Sequence, residues 1–205
     1  MLAALLFIPA GTINYWQGWL FIAVILIPPF FVSNYFLTRS PEFLERRLRF
    51  KEKEVQQKAI IKITGLLFFL GFLIPGLDFR FGWSNVPVWL VLTSDLIIIL
   101  GYFLIFLSFK ENPFAARTVE VFPDHKLIDT GVYAQIRHPM YAGIIPMFLF
   151  MSLALGSYWA VLLFFPVCAI IIFRTLNEEE VLKRDLTGYR DYCKKVRFRL
   201  IPFVW

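Results

Sequence analysis

The chain has 205 residues, 59% of them hydrophobic, with 24 Phe and 6 Trp, and a mean hydropathy of +0.66. A soluble domain averages about 45–50% apolar residues, so the composition excludes a small soluble core and points to an all-α, polytopic integral membrane protein. The formal net charge of +6 does not point to nucleic acid, because the basic residues flank apolar blocks and form no basic domain of their own.

Residues 1–10 are apolar but too short to span a bilayer. They read as an interfacial segment or a lead-in to the first span, and they lack the basic start of a cleaved signal peptide. Residues 16–37 are the first predicted span, since about 20 apolar residues cross the hydrocarbon. Pro28-Pro29 predicts a kink within it. Residues 38–62 form a basic loop, in which Ser40-Pro41-Glu42 has the form of a helix start and predicts a surface helix. Residues 63–77 are a second, short span, 78–87 a turn, and 88–109 a third span.

The segment 110–139 is polar and holds both histidines. Residues 140–173 are apolar, interrupted at Gly156-Ser157. As one helix this block would be roughly 50 Å long, too long for a single crossing, so it predicts a helical hairpin. The tail 174–205 is polar, then amphipathic. The chain thus divides into membrane helices at 1–109 and a site-bearing region at 110–205.

About five spans result, the last two a hairpin. Of the 21 Lys and Arg, eight lie in 38–62, four in 110–139 and eight in 174–205, with only Arg80 elsewhere. The positive-inside rule makes those segments cytosolic. Trp16, Trp19, Trp83, Trp89 and Trp159 fall near the opposite interface, as an aromatic belt would. Both signals predict an N-terminus outside, a C-terminus in the cytosol, and a cytosolic pocket where 125–141 meets the start of the tail. Cys168 and Cys193 have no metal-ligand or redox-pair spacing.

Several residues invite chemistry, each with a plainer reading beside it. Arg174 and Glu178 are spaced i, i+4 and share a face if the last helix continues. Glu178, Glu179 and Glu180 are either a solvated helix end balanced by Lys183 and Arg184, or a carboxylate pair for a cationic ligand. His138, just before Pro139, is either a helix cap or a catalyst. His125 is a loop residue or a ligand contact. Asp95 is an intramembrane acid, hence a functional candidate, or an acid near the interface.

Taken together the residues form a longer pattern: H-x-L-[IV]-x-[ST]-G-x-Y-x-x-x-R-H-P-x-Y-x-G, an apolar hairpin, R-x-x-x-E-E, then G-Y-x-x-Y-x-x-x-V and a closing I-P. It runs from His125 through Gly131, Tyr133, Arg137, His138, Pro139, Tyr141 and Gly143 to Arg174, Glu178, Glu179, Gly188, Tyr189, Tyr192, Val196 and Ile201-Pro202. The pattern resembles the isoprenylcysteine carboxyl methyltransferase family of membrane enzymes, in its compact prokaryotic form, and more distantly the phospholipid N-methyltransferases. The likeness covers about the last 90 residues.

The resemblance implies a membrane enzyme that binds S-adenosyl-L-methionine without a Rossmann domain; no G-x-G-x-x-G occurs in the chain. It implies cofactor contacts at His125, Lys126, Leu127, Ile128, Tyr133, His138, Pro139, Met140 and Tyr141, and at Glu178 or Glu179. It places Arg174 on the substrate side, facing a lipophilic small molecule or prenylated peptide delivered from the lipid bilayer. A family Gln upstream of the His has no clean counterpart; Glu120 or Thr118 is nearest. The interval between the Glu run and Gly188-Tyr189 is shorter than in eukaryotic relatives. No general base is expected and no metal, because methyl transfer from a sulfonium needs positioning and exclusion of water more than proton transfer. His138 is expected to shape the pocket and start a helix. The alternatives are an NADPH-dependent membrane reductase, since steroid-reductase-like enzymes share a similar C-terminal hairpin, and a non-catalytic transport or assembly protein.

Overall fold

The computed structural model describes residues 1–48, 55–115 and 125–205. Among these the regular structure is helical: α1 Leu2–Ala10, α2 Trp16–Arg39, α3 Pro41–Leu48, α4 Val55–Phe81, α5 Val88–Glu111, a 3₁₀ turn Gly131–Ala134, α6 Pro139–Ala154, α7 Val161–Asp185 and α8 Tyr189–Lys195. The protein is a multi-pass, all-α membrane protein. Among the described residues four helices are long and apolar enough to cross a bilayer, within α2, α4, α5 and α7, and α6 is a shorter apolar helix of 16 residues.

The helices follow from the sequence blocks, with informative departures. Pro28, Pro29, Pro75, Pro146 and Pro166 all lie inside helices. Apolar surroundings leave the backbone no solvent to bond to, so the helices continue through them. α3 begins at Pro41 with Glu42 in its first turn, as the helix-start pattern predicts. The segment expected as a second span at 63–77 is part of a 27-residue helix, α4, that absorbs Asp78 and Arg80 from the expected turn. α7 runs on past the apolar block to Asp185, which carries Arg174, Glu178 and Glu179 on one continuous helix.

α1 is a separate helix, set off from α2 by a turn. Gly11 ends it in the left-handed conformation, φ 70°, and it lies along the last third of α4. A Cβ at Gly76 would come within 2.5 Å of the Leu6 carbonyl oxygen. Leu6 and Ala10 are buried there with Tyr15, Phe21, Val24, Ile98, Met147, Met151 and Phe164 in the apolar core.

α5 and α6 are antiparallel and cross on glycines. A Cβ at Gly143 would stand 2.8 Å from the Gly101 carbonyl oxygen, and one at Gly101 would stand 2.4 Å from Met147 Cγ. Small residues let two membrane helices approach this closely, and dispersion between the backbones then replaces contact with lipid. α6 and α7 form the predicted antiparallel hairpin around Gly156, whose φ is 76°. Phe148 stacks on Phe164 near the turn, and Tyr141 meets Arg174 at the other end.

One end of the bundle is tied by Asp78, which is 1% exposed. It accepts hydrogen bonds from the Ser84 backbone N–H at 2.6 Å and the Ser84 hydroxyl at 2.7 Å, and from the Ser157 hydroxyl. Tyr15 donates to the Leu155 carbonyl at the same end. All five predicted belt tryptophans are exposed there, Trp16, Trp19, Trp83, Trp89 and Trp159. Asp95 is buried in α5, and neither of its carboxylate oxygens has a hydrogen-bond partner among the described residues. The opposite end carries Arg39, Lys110 and the tail, and there the polar segment 125–138 returns to the bundle.

Gly143→Val should force α5 and α6 apart. Overpacking of this kind costs about 1–3 kcal/mol, so the variant should melt at lower temperature in detergent than the parent, as followed by circular dichroism.

Candidate functional site

A cleft opens at the basic end, between the end of α5, segment 125–141, the end of α7 and α8. Its wall includes His125, Leu127, Ile128, Tyr133, His138, Pro139, Met140, Tyr141 and Glu178, together with Asn112, Phe114, Arg137, Leu182, Leu186, Tyr189 and Tyr192. Nine of the residues singled out from the sequence thus share one cavity. Three do not line it. Lys126 points to solvent, Glu179 is buried behind the wall, and Arg174 lies on the far side of Tyr141. Thr118 and Glu120 lie outside the described residues.

Local geometry explains how the wall is built. Gly131 has φ 55°, and a Cβ there would come within 2.7 Å of the Glu111 carboxylate. The chain turns tightly against the end of α5, aided by the Thr130 hydroxyl donating to Glu111. The following 3₁₀ turn presents Tyr133, whose hydroxyl accepts from Asn112 Nδ2 at 3.5 Å and whose carbonyl accepts from the Tyr192 hydroxyl at 2.7 Å. His125 stacks on Phe114, with ring centroids 4.7 Å apart. An exposed ion pair, Lys195 Nζ to Asp129 at 2.8 Å, joins the same segment to α8. The Lys195 hydrogen bond and charge hold the Asp129 carboxyl below its ordinary range.

Arg137, His138 and Glu179 form the base of the cleft. Glu179 is 1% exposed. Its Oε1 accepts from Arg137 Nε at 2.7 Å and faces His138 Nε2 at 3.3 Å; its Oε2 accepts from Arg199 Nε at 3.1 Å. Arg137 also donates through Nη1 to the Val196 and Arg197 carbonyls at 2.7 and 2.9 Å. The backbone N–H groups of Arg137 and His138 donate to Phe198 and Arg199. The C-terminal tail is therefore strapped under the cleft. His138 sits at the N-cap of α6 with Pro139 next to it, its ring facing a carboxylate.

Glu178 has a different environment from its neighbour. One residue along a helix is a turn of about 100°, so Glu178 faces the cleft while Glu179 faces its base. The Glu178 carboxylate accepts from the Tyr141 hydroxyl at 2.8 Å, and that hydroxyl accepts from Arg174 Nε at 3.1 Å. A carboxylate, a phenol and a guanidinium thus run from the cleft toward the α6–α7 surface.

Arg137, Asn112, Tyr189 and Tyr192 line the cleft without having been singled out as site residues. Arg137, Tyr189 and Tyr192 stood in the motif; Asn112 had no local signal, since its place depends on where α5 ends.

Geometry and composition define a multi-pass membrane protein with a polar cleft at the basic end of α5, α6 and α7. Comparison with known proteins sharpens that class. Residues 89–187 match the phospholipid methyltransferase family, a stretch that takes in nearly all of α5 and reaches just past α7. Over 75 residues, 36% of the chain, it is 35% identical to the protein-S-isoprenylcysteine O-methyltransferase of Schizosaccharomyces pombe, covering 32% of that protein. Over 109 residues, 48% of the chain, it is 29% identical to the Delta(14)-sterol reductase TM7SF2 of Mus musculus, covering 25% of that protein. The chain therefore spans a third or less of these relatives. The family match and the yeast enzyme relate it to membrane methyltransferases of the phospholipid and isoprenylcysteine kind.

Glu179→Ala would leave Arg137 buried without its carboxylate. Removing one partner of a buried pair costs about 3–5 kcal/mol, so the variant should melt earlier and its tail should become open to carboxypeptidase, whereas Glu180→Ala, at an exposed position, should change neither.

Proposed function

We propose that the chain is an S-adenosyl-L-methionine-dependent methyltransferase acting on a lipophilic acceptor, a carboxylate such as C-terminal isoprenylcysteine. In this reading the basic end faces the cytosol, the N-terminus lies outside, and the acceptor arrives through the bilayer. The run Glu178–Tyr141–Arg174 carries the reading. It sets an anion inside the cleft and a cation outside it, four residues apart on α7 and joined through the Tyr141 hydroxyl.

The donor set fits the cofactor. Leu127, Ile128, Leu182 and Leu186 give an apolar wall for a nucleoside, with Tyr133 and His125 as aromatic neighbours. Glu178 supplies the charge that an α-ammonium group needs, and Tyr141 orients that carboxylate. Glu179 is already committed to Arg137, His138 and Arg199, so the cofactor acid is Glu178. When bound, S-adenosyl-L-methionine supplies an electrophilic methyl group, and the protein's contribution is alignment and exclusion of water. Arg174 would hold an acceptor carboxylate, and His138 and Pro139 would fix the wall beside it.

A lipophilic acceptor is supported by a second feature. Pro28, Phe31, Val32 and Tyr35 of α2 face Ile99, Tyr102, Phe103 and Phe106 of α5 across an apolar groove of about 380 Å³. That volume falls within the ~300–1,000 Å³ of small-molecule sites. Six residues beyond Phe106, about 9 Å along the helix, Asn112 lines the cleft. The groove and the cleft share one helix.

The likeness to the mouse sterol reductase favours a second reading, an NADPH-dependent reductase using the same cleft. Thermal shift in detergent separates the two: S-adenosyl-L-methionine should raise the melting temperature and NADPH should not. Transfer of labelled methyl to a panel of lipophilic acids, amines and thiols then identifies the acceptor.

Glu178→Gln should weaken calorimetric S-adenosyl-L-methionine binding about 10–100-fold, the value of a charge-assisted hydrogen bond; undiminished affinity would remove Glu178 from the site. Arg174→Ala should raise KM for a carboxylate acceptor about 10-fold or more, with cofactor affinity changed less than threefold.

A further inference from the structure

The tyrosines of the cleft are not equivalent. The Tyr141 hydroxyl donates to Glu178, the Tyr192 hydroxyl to the Tyr133 carbonyl, and the Tyr133 hydroxyl accepts from Asn112. Tyr189 also lines the cleft and is 4% exposed. Its hydroxyl oxygen is buried and has no hydrogen-bond partner among the described residues. A buried polar group left unpaired costs about 1–3 kcal/mol, and native proteins hold few of them.

The position is a fixed one. Gly188 precedes Tyr189 with φ 84°, a conformation that glycine adopts without strain, and a Cβ there would touch Leu127 at 3.5 Å. The Tyr189 ring packs on Tyr192, centroids 5.5 Å apart, within the cluster of Leu186, Tyr192 and Val196. The ring is thus clamped from the protein side while its hydroxyl has no partner among the described residues. Burial, and then the charge of Glu179, hold that hydroxyl above its ordinary range, so it keeps its proton and can donate. Around it the cleft wall is apolar, from Leu127, Leu182 and Leu186, which suits the flat face of a purine.

We infer that Tyr189 is a cofactor-binding residue whose hydroxyl donates a hydrogen bond to an acceptor on the nucleoside part of the ligand. The inference rests on the methyltransferase reading for the identity of that ligand. It extends the site beyond residue 187, where the family match ends.

Tyr189→Phe removes the hydroxyl and keeps the ring. In the full-length protein in detergent, its melting temperature without ligand should equal or exceed that of the parent, because no protein hydrogen bond is lost. Calorimetric affinity for S-adenosyl-L-methionine, and competition by adenosine alone, should both weaken about 5–10-fold. Tyr192→Phe serves as contrast: it loses the bond to the Tyr133 carbonyl and should melt earlier without ligand. Unchanged affinity in Tyr189→Phe, or an early melt matching that of Tyr192→Phe, would overturn the inference. A parent protein that binds NADPH and not S-adenosyl-L-methionine would overturn the methyltransferase reading instead, and the adenosine competition would still decide the role of Tyr189. Binding of neither cofactor nor adenosine would sink both.

Discussion

The cleft depends on a carboxylate that does not face it. Glu179 lies at the meeting point of three stretches: the Arg137-His138 start of α6, the end of α7, and the tail that brings Arg199. Moving one carboxylate out of water is costly, and only close cations with good geometry offset it. Here Arg137 and Arg199 bond its two oxygens and His138 stands beside the first. Each partner is held in turn: Arg137 by the tail carbonyls, His138 by its place at a helix start. Loss of Glu179 would leave Arg137 buried without its carboxylate, so the stretches are held in register together. The wall residues 138–141, Glu178 and α8 inherit their positions from this cluster.

The rest of the bundle keeps that cluster in place by packing of a different kind. Glycine contacts between α5 and α6 set how near the two helices stand, and hence where Asn112 and Gly131 fall relative to the cleft. At the far end, Asp78 joins α4 to the turn between α6 and α7, and Tyr15 joins the start of α2 to the same turn. Polar groups therefore concentrate at the two ends, with apolar packing between them. The boundary between the polar cleft and the apolar groove runs along α5.

Much of this was legible from residue order. The apolar blocks announced α2, α5 and the α6–α7 hairpin, because a bilayer demands length and hydrophobicity that few other settings require. The tryptophans marked one interface for the same reason. The motif from His125 to Tyr141 collected most of the cleft wall, since its residues lie close in sequence. Residues whose role depends on distant partners were harder. Asp78 looked like a turn residue because its Ser157 partner is 79 positions away. Glu178 and Glu179 could not be told apart until the helix phase at α7 was known. Arg137 stood inside the motif, but its hold on the tail required knowing that 196–199 return beneath it. The packing of α1 on α4 was not legible, because nine apolar residues look the same whether lipid or another helix covers them.

The tie at Asp78 has a consequence for how the protein is made. α4 leaves the ribosome well before the α6–α7 turn has been synthesised. Until then Asp78 has Ser84 beside it, supplied by its own local sequence, but lacks Ser157. The carboxylate then holds two of the three hydrogen bonds it accepts in the folded protein. Arrival of the last hairpin supplies the missing hydroxyl and, at the opposite end, the Glu178 and Glu179 that build the cleft. Closing of the far end and the placing of Glu178 and Glu179 thus both wait on that hairpin, and a chain stalled before it lacks both.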